Sequence, residues 1–342
     1  MLQAFDVAIL IVAYRNPQDV TGCLRSLARA QTQPSFEVYI IENGGPDAFD
    51  ALTSALASPD SPCRIDTNLG SPFRVHEFKR VRSFRLLRPD GSSGEQVNIA
   101  EAAENLGYAG GVNAWLRPLL SIPQWQGAWI LNPDTEPEPN ALGELVRHAA
   151  LRLTDLTGSR LVLASEPDRI QSRGLAWQKL RGGTLAVDRH APASQDPDID
   201  DVERRLDSPS GASLYATRNA IERIGLMDER FFLYFEDLEW GCRAKRGGRI
   251  GYAHRSIVVH KGGTTIGSAA RRKDRSTLSV YLSFRNAILF VRDYYPGWLP
   301  WTIIMQVIDI AVFAAAGSLR NVAAAARGLA AGLMGEVGRP GR

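Results

Sequence analysis

Val7-Ala8-Ile9-Leu10-Ile11-Val12-Ala13 (VAILIVA) is seven residues without a polar side chain. An unbroken aliphatic run this short cannot span a bilayer, and it marks a strand buried on both faces, as in parallel sheets. Asn16-Pro17 follows, a helix cap with proline at the first helical position, where a missing N–H costs nothing. Val20, Leu24 and Leu27 then recur at helical spacing. Residues 36–41 (FEVYII) form a second buried run, closed by Glu42-Asn43-Gly44-Gly45, and a helix is expected over 47–57. Such β-α-β-α alternation predicts an open, mostly parallel α/β sheet with helices on its faces. Ligands bind these sheets beyond the carboxyl ends of the strands, so residues just after each strand become candidates.

The alternation breaks over 58–98, which is rich in Pro, Gly and Ser and carries seven Lys or Arg between 64 and 88. This stretch reads as a basic surface insertion with a hairpin over 75–88, rather than a core element. The pattern resumes with a strand at 97–100, a glycine-rich stretch, a helix over 112–120 and a strand at 128–131. A helix over 140–152 and a strand at 161–164 come next. Residues 188–207, acidic and punctuated by Pro192 and Pro197, read as a mobile loop. Beyond it a short strand is expected at 211–217, helices at 218–224 and 237–246, and a strand at 257–260. A long helix over 277–294 and an apolar helical segment over 298–333 close the chain. An α/β body over 1–265 is therefore followed by a helical region over 266–342.

With 342 residues, 44% apolar and 23% charged, the chain is an ordinary globular one, which excludes disordered, collagen-like and coiled-coil classes. Net charge is +3, but residues 257–342 hold eleven Lys or Arg against four Asp or Glu. A basic tail on a slightly acidic body suits an anionic partner, or is simply a solvated surface. Cys23, Cys63 and Cys242 are scattered and odd in number, which argues against a disulfide framework and for a reducing compartment. Residues 1–13 include Asp6 and no basic opening, so no secretory signal is expected.

Four segments could carry chemistry. Glu42 and Asn43 could bond a base or ribose, or merely end a strand. Asn105 to Asn113, with Gly107, Gly110 and Gly111, could bring backbone N–H groups close to a phosphate. It fits neither G-x-G-x-x-G nor a P-loop, which disfavours nicotinamide dehydrogenases and P-loop ATPases. Asn132-Pro133-Asp134 follows a strand directly, and its carboxylate could bind a hard cation or cap the next turn. In Phe231-Phe232-Leu233-Tyr234-Phe235-Glu236-Asp237, aromatic residues run into two acids; desolvation there would raise a carboxyl pKa toward that of a general base. A helix N-terminus explains the acids but not the aromatic cluster. His260 ends a strand and is either a hydrogen-bonded structural residue or a ligand.

Taken together, in this order and spacing, these segments resemble a bacterial family 2 glycosyltransferase of GT-A fold, in the branch with rhamnosyl- and galactofuranosyltransferases. The likeness covers residues 7–296 and includes Ala13-Tyr14-Arg15-Asn16, Ser210-Gly211 and Arg285-Asn286. It implies that Tyr14, Asn16, Glu42 and Asn43 line a nucleotide pocket and that Asn105–Asn113 covers the nucleotide and donor sugar. Asn132 and Asp134 would stand in the D-x-D position, with Asp134 and His260 as ligands of Mg²⁺ or Mn²⁺. Asp237 would be the catalytic base, with Glu236 shaping the acceptor site. The implied reaction is inverting, metal-dependent transfer from a dTDP- or UDP-sugar, with dTDP-rhamnose preferred, to a glycan or polyprenyl-linked acceptor. Glu42 replaces the usual Asp, and the metal motif keeps only its last carboxylate.

Residues 298–316 are mostly apolar, yet about ten residues gaining roughly 0.3–0.6 kcal/mol each on membrane insertion are nearly cancelled by about 3 for Asp309. Thr302, Gln306 and Asp309 share one helical stripe, and Tyr294, Tyr295, Trp298 and Trp301 gather at one end. The segment is expected to lie on the cytoplasmic leaflet or in an oligomer interface rather than to span. A location at the inner face of the cell membrane follows. The rivals are a sugar-phosphate nucleotidyltransferase, whose G-x-G-T-R-x-x-P-type loop is missing, and a catalytically dead glycan-binding homologue. Basic patches without an RNA or DNA motif give no nucleic-acid role.

Overall fold

A computed structural model describes residues 5–66, 77–262 and 274–341. The run quoted first is β1 (Val7–Ala13), followed by α1 (Pro17–Leu27), β2 (Phe36–Glu42) and α2 (Pro46–Ala57). Next come β3 (Cys63–Ile65), β4 (Phe78–Leu87), β5 (Ser93–Ala102), α3 (Gly107–Leu120), β6 (Gly127–Leu131), β7 (Thr135–Pro137) and α4 (Ala141–Arg152). The middle of the chain supplies β8 (Leu156–Leu163), β9 (Glu166–Ser172), β10 (Leu175–Gln178), β11 (Gly183–Ala186) and α5 (Ile199–Arg205). β12 (Ser213–Thr217), α6 (Arg218–Ile224), α7 (Glu236–Lys245) and β13 (Ile250–His260) complete the α/β body. α8 (Thr277–Tyr294), α9 (Leu299–Ala315) and α10 (Leu319–Met334) follow.

Eleven strands form one mixed sheet in the order β3-β4-β5-β2-β1-β6-β12-β8-β13-β7, with β9 beside β8, and β10 pairs with β11 as a separate antiparallel ribbon. The sheet's centre, β5-β2-β1-β6, is parallel, as is β8-β13, while β12 runs antiparallel between them. Alternation along β1 divides the core in two. Val7, Ile9 and Ile11 face a layer with Leu24 of α1, Phe49 of α2 and Leu145 of α4. Ala8 and Leu10 face Trp115 and Leu116 of α3, Ile221 of α6 and Trp240 of α7. Apolar side chains on both faces of the strand are what the unbroken run encodes.

Several boundaries differ from expectation. The 58–98 stretch is not a surface appendage: β4 and β5 form a hairpin on the edge of the main sheet, and Cys63, Phe84 and Leu86 are fully buried in its core. The turn lies at 88–92 rather than inside 75–88, whose first two residues fall outside the described part. The body–tail boundary at 265/266 also lies outside it. Residues 188–207 contain α5, pinned by Glu203, which binds His148 at 2.7 Å and Arg152 at 2.8 Å. β8 starts five residues early because Thr157 and Ser159, polar in sequence, pair inside: Ser159 Oγ meets Ser213 and Ser256 Oγ at 2.7 and 2.8 Å. β13 begins at Ile250 and bulges between Ala253 and Ile257, which hid its first half from an alternation test.

The apolar tail is two helices broken at Gly317, whose φ is +71°. α9 is inside out. Its buried residues are Thr302, Gln306 and Phe313, the last two against Phe284 of α8, whereas Trp301, Ile304, Val307, Ile308 and Val312 are exposed, Val307 by 54%. Residues 296–315 are the one helical segment, among those described, long and apolar enough to cross a membrane.

Candidate functional site

Three turns at the carboxyl edge of the sheet are tied into one wall. Tyr14 N donates to Asn16 Oδ1 at 3.1 Å, and Arg15 N and Gly44 N donate to Glu42 Oε1 at 3.1 and 2.7 Å. Asn43 Nδ2 donates to Gly107 O at 2.8 Å, which fastens the end of β2 to the start of α3. Gly107 has φ +73°, and a Cβ there would collide with Phe232 O, to which Tyr108 N donates at 2.6 Å. Only glycine allows α3 to begin against the 231–235 loop.

β6 runs into Asn132-Pro133-Asp134 and then β7. Because β7 pairs antiparallel with the end of β13, His260 stands opposite Thr135. Lys261 N donates to Asp134 O at 3.0 Å, and His260 Nε2 lies 3.2 Å from Asp134 Oδ1. His260 Nδ1 donates to Gln171 Oε1 at 2.9 Å, which orients the ring with Nε2 towards the carboxylate. Burial pushes the Asp134 carboxyl up, but the His260 hydrogen bond and charge and the Lys261 charge outweigh it, leaving it below the usual carboxylate range. Two ligands about 2.1 Å from an ion at right angles stand about 3.0 Å apart, so this oxygen–nitrogen pair fits a shared hard cation. Among the described residues no group of three or more His, Cys, Asp and Glu could hold a metal. The remaining coordination would fall to diphosphate oxygens and water, the usual habit of Mg²⁺.

The aromatic loop carries three left-handed residues, Phe232, Tyr234 and Phe235, with φ of 63°, 69° and 76°. Such backbone persists only where its surroundings enforce it. Asn286 of α8 does so, donating from Nδ2 to the carbonyls of Phe231, Leu233 and Tyr234, each at 2.9 Å. The fully buried Arg285 adds Nη2 to Phe231 O at 3.1 Å. The loop delivers Glu236 and Asp237 to the first turn of α7. Asp237 Oδ2 accepts from Gly211 N at 2.9 Å, and Ser208 Oγ donates to Asp237 O at 2.6 Å. Burial raises the pKa of both carboxyls, and the neighbouring Asp237 charge lifts Glu236 further.

Two adjoining clefts result. One, of about 300 Å³, is lined by Tyr14, Asn16, Asn43, Asn105, Gly107, Asn132, Asp134 and His260. The other, of about 510 Å³, is lined by Ser210, Glu236, Asp237, Gln306 and Asp309. Tyr234 borders both. Tyr108 lies between the two acidic groups: its hydroxyl donates to Gly211 O at 2.7 Å and meets Asn132 Oδ1 at 3.1 Å, and burial followed by the charges of Glu236, Asp237 and Asp134 raises its pKa.

Not every expected residue faces a cleft. Glu42 is completely buried behind the wall, with its Oε2 unpartnered, and braces the turns instead of lining the pocket. Gly110 and Gly111 sit inside α3, which begins five residues earlier than expected; a Cβ on Gly111 would press on Val12 at 2.9 Å and Ile41 at 3.1 Å. Asn113 is a clasp, donating to Met227 O at 2.8 Å and accepting from Met227 N at 3.1 Å. Tyr108, Gln171, Gln306 and Asn286's role as a brace escaped sequence reasoning, because a lone Tyr, Gln or Asn carries no pattern.

No protein-family model matches the chain. It is 27% identical over 228 residues, 60% of its length and 72% of the relative's, to N-acetylglucosaminyl-diphospho-decaprenol L-rhamnosyltransferase of Mycobacterium tuberculosis. It is 25% identical over 201 residues to the low-salt glycan biosynthesis hexosyltransferase Agl10 of Haloferax volcanii, covering 58% of this chain and 61% of that one. Among solved structures, the mannosyltransferase PcManGT from Pyrobaculum calidifontis, in complex with GDP-Man and Mn²⁺, superimposes with a TM-score of 0.50 at 15% identity. That match covers 97% of this chain and 81% of the other and agrees with the GT-A fold. With this sheet, these turns and these relatives, the chain is a glycosyltransferase of GT-A fold, similar to the rhamnosyl- and hexosyltransferases just named.

Proposed function

We propose that this glycosyltransferase moves a sugar, rhamnose first among the candidates, from a dTDP- or UDP-sugar to a hydroxyl of a lipid-linked glycan, with inversion and with Mg²⁺ or Mn²⁺ bound. The observation that carries the reading is the pair of adjoining clefts, an Asp134–His260 ligand pair in one and the buried Asp237 carboxyl in the other. Tyr14, Asn16, Asn43 and Asn105 bind the nucleotide in the first cleft. Asp134 and His260 hold the ion, which when bound neutralises charge on the departing diphosphate. Asp237 takes the proton of the acceptor hydroxyl. Its burial makes it a stronger base than an exposed aspartate, and bonds from Gly211 N to Oδ2 and from Leu238 N to Oδ1, at 2.9 and 2.8 Å, hold the carboxylate in place. The relatives support the donor and acceptor classes: one is named for rhamnosyl transfer to a decaprenol-diphosphate-linked N-acetylglucosamine, and the GT-A neighbour holds GDP-Man with Mn²⁺.

The outward apolar face of α9 suits the inner surface of the cell membrane. Exposed Lys179 and Arg181 lie at one end of the helix, where Trp301 Nε1 donates to Leu180 O at 2.9 Å, and exposed Arg320 follows the other. Cations flanking an apolar face complement anionic lipid. Full-length protein should bind anionic vesicles and lose that binding in I304S/V307S/I308S; a concentration-dependent dimer with no vesicle binding would assign the face to a second copy instead.

A thermal-shift panel of nucleoside diphosphates and nucleotide sugars with and without Mn²⁺ tests the whole reading, since a ligand of the folded state must raise the melting temperature. A dTDP- or UDP-specific, Mn²⁺-dependent rise is expected. Its absence, together with no donor turnover, would favour a catalytically dead homologue.

A further inference from the structure

Packing alone would be served by a phenylalanine at position 108, so the hydroxyl of Tyr108 needs a reason of its own. Tyr108 stands in the first turn of α3, belongs to the core layer that holds Leu10 and Trp240, and lines the first cleft with 9% of its surface exposed. Taking a hydroxyl out of water costs free energy unless it finds a partner. This one reaches Gly211 O at 2.7 Å, in a buried bond, and lies 3.1 Å from the Asn132 side-chain amide. A phenol carries a single proton, and the shorter contact takes it, so Gly211 O is the acceptor. Gly211 is held on its other side as well, its N donating to Asp237 Oδ2 at 2.9 Å. The turn around it is closed by Ser213 N donating to Ser210 O at 3.1 Å, and fastened to the end of β6 by Asn132 N donating to Ala212 O at 3.0 Å.

We propose that Tyr108 is a positioning residue for sugar transfer: its hydroxyl holds Gly211, and Gly211 N in turn holds the Asp237 carboxylate where the acceptor hydroxyl must meet it. The inference rests on the glycosyl-transfer reading and adds a residue that acts through the base rather than on the sugar. The carboxylate's partners make Gly211 the decisive link. Among the described residues two backbone groups donate to it, Gly211 N and Leu238 N, and Leu238 belongs to α7 itself. Gly211 N is thus what ties the carboxylate to another element. The contact is also close, since a Cβ on Gly211 would stand 3.1 Å from Asp237 Oδ2. In Tyr108→Phe the ring still fills its place, but Gly211 O loses its partner, the turn is free to shift, and Asp237 shifts with it. Displacement of a reacting group by about 1 Å can cost ~10²-fold in rate. Donor binding should be kept, because Tyr14, Asn16 and Asn43 stand on other turns of the first cleft.

The test uses the full chain, the donor found by thermal shift, and N-acetylglucosamine linked through diphosphate to a short isoprenoid as acceptor. In Tyr108→Phe kcat should fall about ten- to a hundredfold. The nucleoside-diphosphate Kd, read by calorimetry, should stay within about twofold, a separation that general loosening of the fold would not produce. The decisive comparison is made in an Asp237→Asn background, by single-turnover transfer. A hydroxyl that acts through the carboxylate has nothing left to position there, so adding Tyr108→Phe should change the rate by less than about twofold. Gly211→Ala disturbs the same link from its other end and leaves Tyr108 untouched. It should show the same loss and the same silence in Asp237→Asn, and it serves if Tyr108→Phe does not fold. A kcat within about twofold of wild type, a loss that persists undiminished in Asp237→Asn, or nucleotide Kd moving together with kcat would overturn the positioning role while leaving wild-type transfer intact. Absence of transfer by the wild-type chain from any donor would overturn the enzymatic reading, and this inference with it.

Discussion

Removing the Asn286 side chain should loosen the strip of backbone that separates the two clefts. Its Nδ2 carries two hydrogens and reaches three carbonyls, Phe231, Leu233 and Tyr234, at 2.9 Å each. At least two full hydrogen bonds are made, each worth about 0.5–1.5 kcal/mol net. In Asn286→Ala the carbonyls also lose their buried partner, at about 1–3 kcal/mol for each group left unsatisfied. The left-handed residues Phe232, Tyr234 and Phe235 then relax, which admits water to some carbonyls and recovers part of the loss. A destabilisation of about 2–5 kcal/mol follows, measured by urea unfolding with an unchanged m-value. Activity should fall too, because the loop sets the start of α7 and thus Asp237; displacement of a reacting group by about 1 Å can cost ~10²-fold in rate. Nucleotide affinity should change less than kcat, since Tyr14, Asn16 and Asn43 stand on other turns. An Asn286→Ala protein with stability within about 0.5 kcal/mol of wild type and kcat within twofold would refute the bracing argument.

Asp237→Asn should lower kcat by ~10²–10⁴-fold without weakening nucleotide binding, as single-turnover transfer assays would show. In wild type, kcat/KM should fall as pH drops through the raised Asp237 pKa, at a higher pH than for an exposed aspartate. Glu236 has its folded pKa raised above the unfolded value, so the unfolded state releases a proton that the folded state keeps; stability is lost as pH rises from the ordinary carboxyl range toward that raised pKa. Glu236→Gln should remove this dependence and melt higher than wild type at neutral pH, by about 1.4 kcal/mol for each unit of the shift, with the difference vanishing at acid pH. Gly107→Ala should be destabilising by several kcal/mol, roughly 1–2 for the left-handed backbone and the rest from the clash with Phe232 O, and calorimetry should show nucleotide binding weakened with it.

Local pattern decided what local physics controls. The runs at 7–13 and 36–41 could only be doubly buried strands, and the helices at 218–224 and 277–294 were set by their own spacing and ends; the structure places both at those residues. The candidate chemistry was legible for the same reason, since Asn132-Pro133-Asp134 and Glu236-Asp237 are contiguous words after recognisable elements. Whether a residue of a motif meets a ligand or a neighbour was not legible. Gly110, Gly111 and Asn113 belong to the same stretch as Asn105 and Gly107, yet they serve helix packing, because α3 lies flush on β1 and β2. The same holds for β8, whose hydroxyls find partners 54 and 97 residues away.

Sequence by itself thus determined the α/β order, the polar stripe of the last apolar helix and the residues at strand ends. Tertiary structure alone decided that His260 meets Asp134, through the register of β7 on β13, and that the stripe on α9 faces the acid-lined cleft while its apolar side faces out. The reason is that periodicity along a chain reports how much each residue is buried, whereas a site is a set of pairings between distant segments, and pairing is fixed only when the sheet closes its register and the helices settle on it.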